Sequence, residues 1–198
     1  LKEDLETIIQ LSPENVSIYS LIWEEGTVFW SKLQKGLLSE MDQDLEAEMY
    51  EEIIDFLKKN GYVHYEISNF SKKGKSGVHN LKYWRNKEFI GAGLSAATYC
   101  KGKRYSNVRS FSKYYRCIEK NIFPVDDKSI EIVDKEEEKK LKNMLGLRLT
   151  EEGTEYFEAE EVKKLLSNGL LERFDGGKRM RLTEKGILLA NDVFVEFI

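Results

Sequence analysis

The sequence predicts an α/β fold over residues 1–124, followed by a small winged-helix-like domain over residues 125–198. Segments with helical and strand spacing alternate in the first part, which is the order of an α/β repeat. The composition becomes strongly charged after a linker at 124–127. From there the segments follow the order helix, helix, hairpin, helix, which is the pattern of a winged helix.

The first part begins with two helix–strand pairs. Apolar residues at helical spacing indicate helices at 1–11 and 44–60, and Asp42 is placed to cap the second one. Alternating runs indicate strands at 16–22 and 62–67. Because a helix joins the two strands, we expect a parallel sheet with helices on its face.

A third strand and a further helix are expected before the linker. The stretch 89–99 is rich in small residues, and its second half fits a strand. Ser110 is expected to cap a helix that reaches about residue 121. This helix should turn four side chains inward: Phe111, Tyr114, Tyr115 and Ile118.

The segment after the linker reads as two helices, a hairpin and a last helix. Helical spacing covers 134–147 and 162–166. Short strands at 170–174 and 180–182 are joined by an Asp-Gly-Gly turn, which is a hairpin signal. Thr183 begins the last helix.

The composition is that of a globular protein and gives no electrostatic reason to expect nucleic acid as a partner. Of the 198 residues 41% are hydrophobic and 33% charged, and the formal net charge is −4. No apolar run reaches the roughly 18 residues that span a bilayer, so no stable membrane insertion is expected. Cys100 and Cys117 lie far apart, which favours reduced thiols in a cytoplasmic protein.

Polar and aromatic residues concentrate in three clusters, at 65–70, 79–84 and 91–97. They are denser there than a plain core strand needs, and the glycines let the backbone pass close to another group. We therefore expect this stretch to form one wall of a cofactor pocket.

The second cluster holds the residues best suited to a flat ligand. His79 lies in a loop rich in Gly, Lys and Ser, where a histidine on its own is most often idle. Asn80, Tyr83 and Trp84 change that expectation, because these side chains can hold an imidazole tautomer and stack on a flat molecule. A neutral imidazole can also ligate iron.

The other clusters leave alternatives open. Glu66 follows a strand, at the edge where α/β sheets place their sites, but it could equally be the partner of a nearby lysine or arginine. His64 lies inside the strand and reads as structural. The glycines at 91–93 lack the third glycine of a phosphate loop, and small residues that admit a bulky cofactor explain them as well.

The winged-helix pattern suggests DNA binding, but the charges of this domain argue against that role. The second helix of this domain is rich in acids that Lys163 and Lys164 do not outweigh. A structural or partner-docking role is favoured.

Five strings carry a resemblance to a known family: YEISNF at 65–70, HNLKYW at 79–84, GAGLSA at 91–96, GKRYSN at 102–107 and LGLRLTEEG at 145–153. They resemble the oxygen-independent coproporphyrinogen III oxidase family of radical S-adenosylmethionine proteins, over nearly the whole chain. The His-Asn-x-x-Tyr-Trp string looks more like the branch thought to act as heme chaperones than like the oxidase.

The resemblance implies the C-terminal part of a partial (β/α) barrel with S-adenosylmethionine and a [4Fe–4S] cluster, then a winged-helix domain. In the oxidase, a 5′-deoxyadenosyl radical abstracts hydrogen from a propionate of coproporphyrinogen III, and loss of carbon dioxide leaves a vinyl group. A chaperone of the family would instead bind and deliver heme. Winged-helix interaction without either activity is the alternative outside the family.

Site residues follow from the same resemblance. Ile22 and Ala97 match positions that contact S-adenosylmethionine, and Glu66 is expected in that pocket. In the chaperone branch His79 is the candidate contact to heme or porphyrin, with Tyr83 and Trp84 as flat packing partners.

The chain departs from the family in lacking the three-cysteine cluster motif, which Cys100 and Cys117 do not replace. We therefore expect the C-terminal half of a longer protein, without cluster ligands or catalysis of its own, while the parent carries both cofactors. An incomplete barrel leaves a sheet edge uncovered. The fragment is expected to dimerise, to swap elements or to hide that edge with its own helix.

Overall fold

The computed structural model describes residues 1–197 and divides into two compact units, Leu1–Gly77 and Val78–Ile198. Small antiparallel sheets and helices make up both units, so the fold class is α/β, and no closed barrel forms within the described residues. The predicted boundary between 1–124 and 125–198 lies inside the second unit and stays a prediction.

The first unit is a three-stranded sheet with helices. Its elements in chain order are α1 (Lys2–Leu11), β1 (Asn15–Ser17), α2 (Val28–Gln34), α3 (Gln43–Lys59), β2 (Tyr62–Glu66) and β3 (Asn69–Lys72). Asp42 caps α3 as predicted, because its Oδ1 accepts from the backbone N–H groups of Asp44 and Leu45, both at 3.1 Å.

The expected parallel pairing in this sheet is wrong. β1 and β2 each pair antiparallel with β3, in the order β1-β3-β2, so they point the same way without touching. The reason lies just after β2, where a two-residue connection reverses the chain and makes the following segment the nearest partner.

β1 is also shorter than the predicted strand 16–22. Its ladder ends after Ser17, apart from one further bond from Ile18 N to Ser68 O at 2.9 Å. Beyond that point the backbone has no strand neighbour to pair with, and Leu21 and Ile22 are exposed.

The core of the first unit joins α1 and α3 to the sheet. Its buried members are Leu5, Val16, Ile53, Leu57, Tyr62 and Phe70. Each fully buried side chain of this size contributes about 1.5–3 kcal/mol through the hydrophobic effect. This packing fixes the position of β2, which carries Glu66.

The second unit contains two further antiparallel sheets, in the orders β4-β5-β6 and β7-β9-β8. Its elements are α4 (Val78–Trp84), β4 (Ala97–Cys100), β5 (Lys103–Ser106), α5 (Phe111–Glu119), β6 (Glu131–Ile132), α6 (Lys135–Gly146), β7 (Thr154–Glu155), α7 (Glu160–Ser167), β8 (Leu171–Phe174), β9 (Arg179–Leu182), α8 (Glu184–Leu188) and α9 (Ala190–Val195). Short 3₁₀ turns lie at Asp127–Ser129 and Asp175–Gly177.

The predicted third strand and the helix, helix, hairpin, helix order are confirmed as β4 and as α6, α7, β8–β9 and α8–α9. β7 was missed, because two residues carry no recognisable alternation. The last helix begins after Thr183 as predicted but breaks at Leu189.

One expected burial is wrong. Ser110 caps α5 as predicted, yet Phe111, Tyr115 and Ile118 are exposed and Tyr114 is half-buried. Periodicity identifies the apolar face of a helix but not whether another element covers it.

Candidate functional site

Residues 18–23 and the side of α3 that faces them enclose a hollow of about 820 Å³ in the first unit. Its walls include Tyr19, Leu21, Met49 and Tyr50. The predicted residue Ile22 lies in this segment, 81% exposed, but is not part of the wall. The volume lies in the range of small-molecule sites, about 300–1,000 Å³.

Glu66 is fully buried at the end of β2. Its Oε1 accepts hydrogen bonds from Asn69 Nδ2 and, at 3.2 Å, from Ser68 N. Ser17 Oγ in turn donates to Asn69 Oδ1 at 2.5 Å. The carboxylate thus belongs to a hydrogen-bond network that ties β1, β2 and β3 together, and it does not line the hollow.

His64 has the structural role that the sequence indicated. The ring is 4% exposed and stacks on Phe70 with 4.4 Å between centroids. Burial lowers the pKa of His64 from 6.5 to about 4, so the imidazole is neutral near pH 7. Its Nε2 lies 3.0 Å from the carbonyl oxygen of Ile67, which makes Nε2 the protonated nitrogen. Tyr50 donates to the same carbonyl oxygen and connects this group to the hollow.

A groove of about 460 Å³ in the second unit brings three of the predicted residues together: Tyr83, Trp84 and Ala97. The remaining aromatic walls are Phe89, Tyr99 and Tyr105, and the charged ones are Lys87, Arg104 and Glu131. Aromatic faces around a cleft of this size suit a flat, largely apolar ligand.

His79 stands at the end of a row of rings that leads to the groove. Its ring meets Tyr83 edge-on at 4.8 Å between centroids, and Tyr83 meets Phe89 in the same manner at 4.5 Å. His79 and Tyr83 lie one turn apart on α4, which places them on one face of the helix. His79 is exposed, and it is not part of the groove wall itself.

A cation lies over the indole ring of Trp84. The guanidinium of Arg148 lies 4.3 Å from the centroid of its indole ring. Trp84 Nε1 is buried and makes no hydrogen bond within residues 1–197. The indole therefore acts as a packed wall of the groove.

The small residues at 91–97 serve the chain's own packing. A Cβ on Gly91 would lie 2.2 Å from the carbonyl oxygen of Ala97, so only glycine fits there. Asn107 Nδ2 donates to the carbonyl oxygens of Gly91 and Gly93, at 3.3 and 2.7 Å. This packing holds Ala97, at the start of β4, in the groove wall.

Sequence reasoning missed Tyr99, Arg104 and Tyr105, although two of them lie in the GKRYSN string. The feature that could have identified these residues is the β4–β5 hairpin, in which Tyr99 pairs with Arg104. Burial and the Glu138 carboxylate raise the pKa of Tyr99, so its hydroxyl keeps its proton and donates to Glu138 Oε1 at 3.3 Å.

Within residues 1–197 no group of three or more His, Cys, Asp or Glu side chains could hold a metal ion. Iron–sulfur clusters are held by cysteine thiolates, and Cys100 and Cys117 lie on β4 and α5 without a third cysteine. The residues present do not fit a [4Fe–4S] cluster. In the part of the chain that the structure describes, no helix has the length and apolar character needed to cross a membrane.

Comparisons with known proteins bear on the family. No protein-family model matches the chain. The chain is 35% identical over 212 residues to the heme chaperone HemW of Lactococcus lactis, and 36% identical over 210 residues to that of Bacillus subtilis. Each match covers 100% of this chain and 54% of the relative. The chain thus spans about half the length of the curated relatives it matches.

A solved structure shows the fold. Coproporphyrinogen III oxidase (HemN) from Escherichia coli, described as a radical SAM enzyme, matches with a TM-score of 0.70 and 15% identity, over 99% of this chain and 50% of that one. These half-length matches fit the expected C-terminal half. The chain belongs to the oxygen-independent coproporphyrinogen III oxidase family of radical S-adenosylmethionine proteins, with relatives in its heme-chaperone branch.

Proposed function

We propose that the protein binds heme at the aromatic groove of its second unit and delivers it to acceptor proteins. The observation that carries the proposal is that Tyr83 and Trp84 line one groove, with His79 in ring contact with Tyr83. Two relatives that match the whole chain are named heme chaperones, which supports this function over decarboxylation.

The proposed roles follow from the chemistry of each side chain. Tyr83 and Trp84 pack against the flat tetrapyrrole, and His79 offers an imidazole nitrogen to the iron from the exposed side. An exposed ligand suits a cargo that must leave again, because an acceptor can reach the iron without unfolding the carrier. A cytoplasmic location belongs to the same proposal.

Family membership implies S-adenosylmethionine and a [4Fe–4S] cluster in the full-length protein, where they supply radical chemistry when bound. Ile22, Ala97 and Glu66 remain predictions for the S-adenosylmethionine pocket. The hydrogen bonds of Glu66 to Asn69 and Ser68 hold its carboxylate in place at the end of β2.

Hemin titration of the chain tests the proposal. We expect a shifted and intensified Soret band for the unaltered chain, and an affinity lower by about tenfold or more for His79→Ala, since one axial ligand is lost. Val78→Ala, on the same turn and also exposed, is the matched control and should bind as the unaltered chain does. An unperturbed Soret band throughout would overturn the function, and equal binding by His79→Ala would remove His79 from the site.

Oxidative decarboxylation of coproporphyrinogen III stays the second candidate, because the fold is that of an oxidase. The chain should show no turnover after iron–sulfur reconstitution, and turnover would contradict the proposed lack of independent catalysis.

The winged-helix part is proposed to dock a partner protein, because Lys163 is engaged by Glu158 and Glu160. A salt-dependent DNA mobility shift would contradict that role.

A further inference from the structure

Arg104 differs from two other arginines of the second unit, Arg85 and Arg181, in its charge partners. Arg85 and Arg181 pair with Glu152 and Glu172. Arg104 forms no ion pair within residues 1–197; its Nη2 makes one long hydrogen bond, at 3.5 Å, to Asn86 Oδ1. Its Nε is buried and makes no hydrogen bond to any described residue.

The position of this guanidinium is fixed by its surroundings. It lies 5.1 Å from the centroid of the Tyr99 ring, opposite Tyr99 in the β4–β5 ladder. A cation–π contact of this kind holds the planar group but satisfies none of its N–H donors. A partly desolvated guanidinium with unused donors is an unfavourable arrangement unless an anion completes it.

The groove itself is electrostatically suited to such an anion. Lys87 and Arg104 line it together with a single carboxylate, Glu131. Glu131 is the ladder partner of Arg104 on β6, so it lowers the local positive potential without forming an ion pair. The remaining charge favours a ligand with at least one carboxylate, which a guanidinium can bind through two parallel hydrogen bonds.

We propose that Arg104, assisted by Lys87, binds a propionate carboxylate of the tetrapyrrole that occupies the groove, and so determines that ligands carrying free carboxylates are preferred. This inference rests on the proposed heme-binding function and extends it to a specificity-determining residue. In this proposal His79 binds the iron, whereas Arg104 binds a carboxylate at the edge of the macrocycle. Ligands that lack the iron or the free carboxylates therefore distinguish the two contacts.

The test uses three probes on the full 198-residue chain: hemin, metal-free protoporphyrin IX and protoporphyrin IX dimethyl ester. Fluorescence and absorbance titrations give the affinities. The unaltered chain should bind the free acid about tenfold or more tightly than the ester, because a charge-assisted hydrogen bond is lost with esterification. Arg104→Gln should weaken hemin and protoporphyrin IX by about the same factor and leave the ester unchanged.

Matched variants distinguish the effect of the charge at Arg104 from the effects of its position and of a loss of folding. Lys103→Gln, on the neighbouring exposed position of β5 and outside the groove wall, should leave all three affinities unchanged. Arg104→Lys keeps the charge and should restore part of the preference for the free acid. Comparison of free acid with ester on the unaltered chain keeps the inference falsifiable even if Arg104→Gln fails to fold.

The outcomes distinguish this inference from the function on which it rests. Binding of no probe by the unaltered chain would overturn both. Hemin binding that depends on His79, with equal affinity for free acid and ester, would overturn the role of Arg104 and leave heme binding intact. An equal loss of free acid and ester in Arg104→Gln would show that the guanidinium stacks on the macrocycle and would also overturn the carboxylate contact.

Discussion

His64 and Glu66, two residues apart on β2, show how the surroundings decide the role of a polar side chain. Both are buried, but His64 gains ring contacts to Phe70, whereas Glu66 gains hydrogen bonds to Asn69 and Ser68. The sequence indicated a structural His64. The resemblance placed Glu66 in the S-adenosylmethionine pocket, which stays a prediction, and the sequence alone does not reveal that Asn69 folds back beside the carboxylate.

The buried His64 should make stability depend on pH. Its pKa is about 4 in the folded state against 6.5 in an unfolded chain, so the unfolded state binds the proton more readily between these values. The free energy of unfolding should therefore fall as the pH falls through this window, by about 2 kcal/mol from this residue between pH 7.5 and pH 5. Urea unfolding at a series of pH values measures it.

His64→Phe removes the titrating group and keeps a ring against Phe70, so its stability should change less over the same pH range. The control is His79→Ala, which removes the exposed histidine and should retain the pH dependence of the unaltered chain. Parallel curves for His64→Phe and the unaltered chain would show that other groups cause the acid destabilisation.

At the scale of elements, local signals were predicted well and non-local ones were not. Asp42, Ser110 and Thr183 were assigned as helix caps from sequence, and each accepts the expected backbone hydrogen bond. The pairing of β1 with β3 was not predictable, because strand partners are chosen by tertiary packing over long separations. The prediction that the apolar face of α5 is buried was wrong for the same reason.

The sequence singled out Tyr83 and Trp84 of the groove wall and His79 beside it, although it placed His79 in a loop where the structure has α4. Tyr83, Trp84 and His79 share one helix and one string, so their proximity is a matter of helical spacing. Tyr99 and Arg104 reach the groove only through the register of a hairpin, and no local rule places that hairpin against α4.

Gly186 on α8 gives a prediction in which helix propensity and tertiary contact disagree. Propensity alone favours alanine in a helix by up to about 1 kcal/mol. A Cβ at Gly186 would lie 2.0 Å from the carbonyl oxygen of Leu170, so we expect Gly186→Ala to lower the free energy of unfolding by about 1–3 kcal/mol. Urea unfolding monitored by circular dichroism measures the change.

Gly169→Ala is the control for this prediction. Gly169 has φ +68 and no atom near the added methyl group, so only backbone strain of about 1 kcal/mol is expected. A stabilised Gly186→Ala would show that α8 can shift away from Leu170.

At the scale of the whole molecule, apolar side chains remain on the surface of the chain. Those after β1 are exposed by half or more: Tyr19, Leu21, Ile22, Val28 and Phe29. An exposed apolar segment beside the edge strand β1 is the kind of surface that associates with a second copy. The sequence predicted such an uncovered edge from the family's barrel.

We therefore expect self-association that increases with concentration, measurable by sedimentation velocity. The double variant Leu21→Glu, Ile22→Glu should shift the distribution towards monomer, because charges oppose burial of this segment. Glu25→Gln, in the same exposed segment, should leave it unchanged. A strictly monomeric chain at all concentrations would contradict the expectation.

Because β3 lies between β1 and β2, the sheet of the first unit cannot form until β3 has been synthesised. Ser17 pairs with Asn69, 52 residues later, so β1 has no partner until the second half of the unit has been translated. At about 5–20 residues per second this interval lasts about 3–10 s. Val16 pairs with Phe70 and can be buried there only after that time, so we expect the sheet to close on the β2–β3 hairpin.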